Sequence, residues 1–264
     1  MNAHSSSASP TSRVKREMRI TQKSFETSLN NHKSFIIDSR LFKMGKYRAT
    51  TDNEKTSRRQ VILDSAEALM DRWSYDDITM DRVAEKSELS KGTLYLYFPS
   101  KESIFFEVFD QLMIRWHLAI DRQLETANQS LDAARAALIF TRSLSERPKL
   151  VRLYALLHPI LETNIDLATA TAFQHRRHDR LSSTSVLLGE KVSVLTTDRA
   201  FEFLVALDPI ISGFAEASLL SPAISRALDD EGLSRLRIDV AQVFRSTLTA
   251  VLENYGRRSR SAER

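Results

Sequence analysis

No cysteine occurs among the 264 residues, which excludes disulfides, thiolate metal ligands and cysteine nucleophiles. Glycine and proline are scarce, with 6 of each. So few breakers leave no Gly-rich phosphate loop, and no segment alternates apolar and polar residues with period two long enough for a strand. No apolar run approaches the roughly 20 residues of a membrane-spanning helix, and the first residues lack the apolar stretch of a secretory signal. The expectation is an all-α protein of the cytoplasm with no membrane partner.

What is present is a hydrophobic fraction of 42%, enough for a proper core, and a formal net charge of +4. That charge is unevenly placed. Residues 1–60 hold 13 Lys/Arg against 5 Asp/Glu, which leaves 25 against 29 for the rest. The basicity therefore belongs to the N-terminal part, where local charge beside a duplex would set a salt-dependent binding term. Residues 1–55 open on the low-complexity run Ser5, Ser6, Ser7, Ala8, Ser9, Pro10 and carry no sustained apolar period, so they read as a disordered basic extension. A DNA-tracking arm is the functional alternative, and Met44 is a candidate true start. Residues 257–264 read as a short basic tail.

From Ser57 onward the period is helical. Ile62, Ala66, Leu69 and Trp73 fall on one face of a first helix. Thr79 precedes a short helix carrying Val83 and Ala84, and Ser90 precedes another carrying Leu94 and Phe98. Both hydroxyl residues suit N-caps, where the side chain accepts from an otherwise unpaired helix N–H. Pro99 and Ser100 end the third helix and cap a long fourth, along which Phe105, Val108, Leu112 and Trp116 recur. Further helices are expected at about 131–146, 149–162, 165–188, 197–220 and 234–255, with a kink or break at Pro209.

Three short helices, the second and third joined by Ser87, Glu88 and Leu89, have the layout of a helix-turn-helix. Val83, Ala84, Leu89, Leu94 and Phe98 would form its small core, leaving Ser90, Lys91, Gly92, Thr93, Tyr95 and Tyr97 outward. The run Thr79-Met80-Asp81-Arg82-Val83-Ala84-Glu85-Lys86, followed by Leu89-Ser90-Lys91-Gly92-Thr93-Leu94-Tyr95-Leu96-Tyr97-Phe98-Pro99-Ser100-Lys101-Glu102, resembles the DNA-binding segment of TetR-family regulators. The resemblance covers roughly 57–115 and weakens sharply afterwards. It implies a DNA-binding head over 56–115 and an α-helical ligand-binding and dimerisation body over 116–256. It also implies that Thr79 caps the second helix near a phosphate, that Lys91, Gly92 and Thr93 approach bases or sugar-phosphate, that Tyr95 and Tyr97 reach the backbone or a thymine methyl, and that Lys101 binds a phosphate. Where the family usually has a turn glycine this chain has Glu88, for which a left-handed conformation is costlier.

In the body, Met113, Trp116, His117, Phe140, Tyr154, Leu157, His158, Leu161 and Phe173 are candidates to line a cavity for a small hydrophobic effector. The pair His175 and His178 sits at i, i+3, but two imidazoles do not make a site and Arg176 and Arg177 disfavour a cation, so no metal is expected. The acid pair Glu162 and Asp166 reads as surface or pocket polar groups, and no cofactor is expected. Phe201, Phe214, Phe244, Leu248, Val251 and Tyr255, on the last two long helices, are the expected subunit interface of a homodimer. A twofold dimer with two heads calls for a palindromic operator in double-stranded DNA. These expectations add up to a ligand-released repressor. An enzyme using the helical cavity finds no paired nucleophile and base, whereas a non-specific nucleic-acid binder would show salt dependence without sequence preference.

Overall fold

The computed structural model describes residues 52–230 and 232–262. The expected arm and the candidate start at Met44 lie outside the described residues. Among the described residues the regular structure is helical, apart from a single backbone bridge between Leu131 and Val192. No helix there is long and apolar enough to cross a membrane.

The head opens with α1 (Asp52–Leu69), so residues 52–55 belong to a helix rather than to the extension. Ile62, Leu63 and Ala66 are buried along it, and Leu69 is half-buried. Trp73 departs from expectation. The helix has ended by then, Trp73 N–H closes a last turn onto the Leu69 carbonyl at 3.0 Å, and the indole is 40% exposed. Met70, in the turn after the helix, is buried instead. Then come α2 (Met80–Lys86), α3 (Lys91–Tyr95) and α4 (Lys101–Glu125), each entered through a hydroxyl cap. Ile78, Val83, Ala84, Leu94, Phe98 and Phe105 close the core of the head.

At 25 residues, α4 is about 37 Å long. It starts in the head and ends in the body, and its buried residues from Ile104 to Leu124 join both to one core. The body adds α5 (Ala133–Ser145), α6 (Pro148–Leu156), α7 (Leu167–Lys191), α8 (Thr197–Ser218), α9 (Pro222–Ala227) and α10 (Val240–Ala262). The helix expected over 149–162 gives way to a π turn at Leu157–Leu161, where Pro159 has no N–H to continue the ladder. Pro209, by contrast, does not break α8, which runs through it. The ring removes the donor that would have met the Val205 carbonyl, on an exposed face where water can replace it. The helix expected from 234 starts only at Val240, behind a 3-10 turn at Ser234–Leu236, and it runs to Ala262, so 257–262 is helix rather than a separate tail.

Two glycines exist for packing. A Cβ on Gly189 would lie 2.7 Å from the Thr197 nitrogen, and one on Gly256 would lie 2.7 Å from the Val194 carbonyl oxygen. Both helices pass too close to neighbouring backbone for any side chain. Gly92 and Gly213 have no such reason, since a Cβ on either meets nothing within 4 Å.

Candidate nucleic-acid interface

The recognition unit is held by three caps and one strained turn. Thr79 Oγ1 accepts from Arg82 N–H at 3.3 Å, and Ser90 Oγ accepts from Thr93 N–H at 3.1 Å. Ser100 Oγ accepts from Ser103 N–H at 3.2 Å while Ser103 Oγ accepts from Ser100 N–H, a reciprocal capping box that starts α4. Between α2 and α3, Glu88 has φ 55, the only non-glycine residue with positive φ among the described residues. The conformation that glycine adopts freely is imposed here on a glutamate, at a cost of about 1 kcal/mol. Leu89 N–H bonds back to the Ala84 carbonyl at 2.9 Å and Ser87 Oγ donates to the Val83 carbonyl at 2.7 Å, so the helix end is satisfied despite the strain. The Glu88 side chain is exposed.

The exposed face of α3 carries Ser90, Lys91, Gly92 and Tyr95, with Thr93 half-buried and Thr79 exposed nearby. Tyr95 is 47% exposed. Lys91 Nζ lies 2.8 Å from Asp81 Oδ1, a pairing that ties α3 to α2, and the hydrogen bond that the lysine donates to Asp81 raises its pKa. Two expected contacts differ. Tyr97 does not point outward: it is half-buried against the core, because α3 has ended and the chain turns in to seat Phe98. Lys101 Nζ donates to the Tyr75 carbonyl at 2.9 Å and sits 4.0 Å above the Tyr75 ring, so in this state it faces its own chain. Burial, and then Glu102, push the Tyr75 phenol well above its ordinary range.

Leu96, absent from the expected set, is 84% exposed beside Tyr95. The signal was present in the helical period, since Leu94 and Phe98 face inward and put 96 on the opposite side. Arg59 was also missed. Its guanidinium donates to Glu107 through both Nε and Nη2, to the Tyr97 carbonyl at 2.9 Å, and lies over the Phe98 ring. One side chain thus joins α1, the end of the recognition segment and α4.

The body residues expected to line a cavity are mostly packed core. Met113, Trp116, His117, Phe140, Tyr154, Leu157, Leu161 and Phe173 are buried, and Phe109 stacks edge-on with Tyr154 at 5.0 Å. His158 is a correction. The π turn swings it outward, where it is exposed and meets Glu162 Oε2 at 2.8 Å. Asp166 caps α7, accepting from Thr169 N–H at 2.7 Å, a bond that lowers its pKa. Among the described residues no group of three or more His, Asp or Glu side chains could hold a metal.

Polar groups nonetheless cluster between α4, α6, α7 and α8. Asp110 Oδ2 accepts from Arg176 Nε at 2.7 Å, while Asp208 accepts from Arg177 Nε at 2.8 Å and from the Tyr154 hydroxyl at 2.9 Å. Thr184 Oγ1 donates to Asp121 Oδ1 at 2.8 Å and meets His117 Nδ1 at 3.2 Å, its oxygen accepting there when the imidazole carries its proton on Nδ1. Burial, then Arg180 and Arg177, hold His117 down to about 3, while burial pushes Asp121 up to about 7 against the Thr184 hydrogen bond.

The expected dimer stripe also needs correcting. Leu248 is 0% exposed within a single protomer and Phe244 is buried against the Phe214 ring at 5.1 Å, so both face their own core. Phe201, Phe214, Val251 and Tyr255 are half-buried and packed against that core. The outward face of α8 carries Val205, Pro209 and Gly213, and that of α10 carries Val243 and Ala250.

Residues 62–108 match the family described as bacterial regulatory proteins, tetR family, and residues 110–255, more than half of the chain, match the tetracyclin repressor-like C-terminal domain. The HTH-type transcriptional regulator EthR of Mycolicibacterium smegmatis is 30% identical over 97 residues, 36% of this chain and 45% of that protein. The HTH-type transcriptional repressor KstR of Rhodococcus jostii is 43% identical over 51 residues, 19% and 24% of the two chains. The chain thus spans between about a quarter and about half the length of these curated relatives. Among solved structures, the TetR family repressor AlkX from Dietzia sp. is 20% identical with a TM-score of 0.44, over 74% of this chain and 96% of that one. A TetR transcriptional regulator from Rhodococcus sp. RHA1 is 16% identical with a TM-score of 0.48, over 76% and 97%. Matched through both its head and its body, the chain belongs to the TetR family of bacterial regulatory proteins.

Proposed function

We propose that the chain is a sequence-specific DNA-binding transcription regulator that sits as a homodimer on a palindromic operator and leaves it when a small effector enters the body. The observation that carries this reading is Gly92. It stands on the exposed face of α3 with open space where a side chain would be, although glycine in a helix costs roughly 0.5–1 kcal/mol relative to alanine. Nothing in the protomer requires it. A sugar-phosphate backbone lying against the start of α3 would, with Lys91 and Thr79 positioned for phosphates and Tyr95 and Leu96 for base edges and thymine methyls.

The same reasoning supports the dimer. Gly213 is the second glycine without an internal reason, one turn beyond Pro209 and two beyond the exposed Val205 on α8. A partner helix crossing there could approach closely, and the orphaned Val205 carbonyl lies on that face. Two heads related by the twofold would read half-sites about one helical turn or slightly more apart.

The test is binding to the DNA that flanks the coding sequence of this chain, with random DNA as control. Gly92→Ala should raise the melting temperature slightly, by removing a helix glycine, and lower operator affinity. A Gly92→Ala protein that binds operator as tightly as the parent would place the DNA elsewhere.

A further inference from the structure

One buried cation in the body leaves its hydrogen-bonding capacity unused. Arg180, on α7, has a side chain only 12% exposed, and neither Nε, Nη1 nor Nη2 makes a hydrogen bond. Asp110 Oδ1 lies 3.0 Å from Nη1, near enough for charge pairing but without the alignment of a hydrogen bond, and Oδ1 has no hydrogen-bond donor either. The other Asp110 oxygen is taken by Arg176. Buried polar groups are almost always bonded, and a guanidinium presents five N–H groups in a rigid fork that matches two oxygens in a plane. Here the fork is buried with a single carboxylate oxygen beside it, off the line of a hydrogen bond, and the rest of its donors have no acceptor.

The surroundings specify that acceptor further. Arg176, Arg177 and Arg180 contribute three positive charges, and Asp110 and Asp208 two negative ones. Of the other titratable groups facing the cluster, His117 and the Tyr154 phenol are held neutral by burial first of all, and Asp121, pushed up to about 7 by burial, supplies only part of a negative charge near neutral pH. A surplus of at most one positive charge suits a monoanion better than a phosphate dianion. The neighbouring side chains are apolar, with the Phe173 ring 5.9 Å from the Arg180 guanidinium carbon, Phe106 4.9 Å and Phe109 6.3 Å from Phe173, and Met113 against Tyr154. Two further buried donors are unpaired, Trp116 Nε1 and Ser212 Oγ.

We propose that Arg180 anchors the carboxylate of a small amphipathic effector whose apolar part packs among Phe106, Phe109, Phe173 and Met113. This rests on the reading that the body receives an effector, and it names the chemical class. It also gives release a physical route. Asp110 belongs to α4, the helix that leads into the head, and a carboxylate that claims the Arg180 fork competes with Asp110 for it. The link between α7 and α4 then loosens in the bound state, and the ligand favours whichever arrangement of α4 frees the fork.

The experiment measures ligand-induced thermal stabilisation and calorimetric binding on the full chain, using benzoate and octanoate as probes and octanamide as the uncharged control. Octanoate or benzoate should stabilise the protein and octanamide should not. Arg180→Met should abolish the stabilisation, while Arg176→Met, which breaks the other Asp110 contact, should keep it. Should Arg180→Met not fold, Arg180→Lys keeps the charge but loses the fork, and carboxylate affinity should fall by roughly tenfold or more. Equal binding of octanamide and octanoate, no response to either carboxylate, or full retention of binding in both Arg180 variants would overturn the proposal. Operator binding is measured separately on the same samples. Carboxylate binding without operator binding sinks the DNA reading alone, and operator binding without a carboxylate response sinks this inference alone.

Discussion

The guanidinium of Arg59 lies 4.1 Å from the centroid of the Phe98 ring. The pair joins the first helix of the head to the residue that anchors the end of the recognition segment, and Glu107 and the Tyr97 carbonyl hold the same guanidinium from two other sides. Arg59→Met should therefore destabilise the head, by about 1–2 kcal/mol from lost cation-π and hydrogen-bond contributions. Operator affinity should fall as well, although Arg59 need not touch DNA. Denaturant titration alongside DNA binding checks this, and a variant as stable as the parent would show that the three contacts contribute nothing.

Lys91 begins the recognition helix already paired with Asp81. Both partners are exposed, so the pair adds little to the fold, but it must yield if the lysine is to reach a phosphate. Lys91→Ala should reduce the slope of log affinity against log salt by about one unit. Asp81→Asn should do the opposite of harm and tighten operator binding by freeing the cation. A salt series on both variants decides, and weaker binding by Asp81→Asn would mean that the pairing positions the lysine rather than restrains it.

Leu248 and Val205 separate the fold from the assembly. Leu248 is wholly enclosed in its own protomer, so Leu248→Ala should cost about 2–5 kcal/mol of stability. Val205→Glu, on the outward face of α8, should leave the protomer helical and yield monomers with weakened operator binding, because an unpaired charge in a desolvated contact is expensive. Light scattering gives the mass and circular dichroism the fold. A Val205→Glu protein that stays dimeric would move the interface to another face.

His117 and Asp121 flank the Thr184 hydroxyl and should pull the pH dependence of stability in opposite directions. The folded His117 pKa of about 3 lies below its ordinary 6.5, so the unfolded chain takes up the proton first and stability is lost as pH falls through that window. The folded Asp121 pKa of about 7 lies above its ordinary 3.8, so its contribution is lost as pH rises between those values. Relative to the parent, Asp121→Asn should make stability climb more steeply with pH between about 4 and 6.5, and His117→Gln should make it fall. Urea titrations across that range provide the comparison, and superimposable curves for parent and variants would show that neither group titrates as its surroundings dictate.

Much of the head was legible in the sequence because its determinants are local. Thr79, Ser90 and Ser100 cap the helices they precede, Val83, Ala84, Leu94 and Phe98 fill the core assigned to them, and Glu88 adopts the left-handed turn that its position demanded. A hydroxyl at a cap and a stripe at helical spacing act within a few residues of chain, so a linear reading captures them. Tyr95 and Tyr97 were not separable in that way. They are two residues apart, and only the end of α3 and the inward turn at Phe98 expose the first and half-bury the second.

The sequence by itself determined that the final helix has an apolar stripe through Phe244, Leu248 and Val251; only the tertiary structure decided what that stripe meets. A period of 3.6 residues states that one side avoids water, and it is equally satisfied by a neighbouring helix of the same protomer or by a second copy. Here α10 lays Phe244 and Leu248 into its own core. Charge pairing was hidden for the same reason. Arg59 and Glu107 are 48 residues apart and Asp110 and Arg176 are 66 apart, so no local pattern marks them, and the folding of α1 and α7 onto the long α4 brings each cation to its carboxylate.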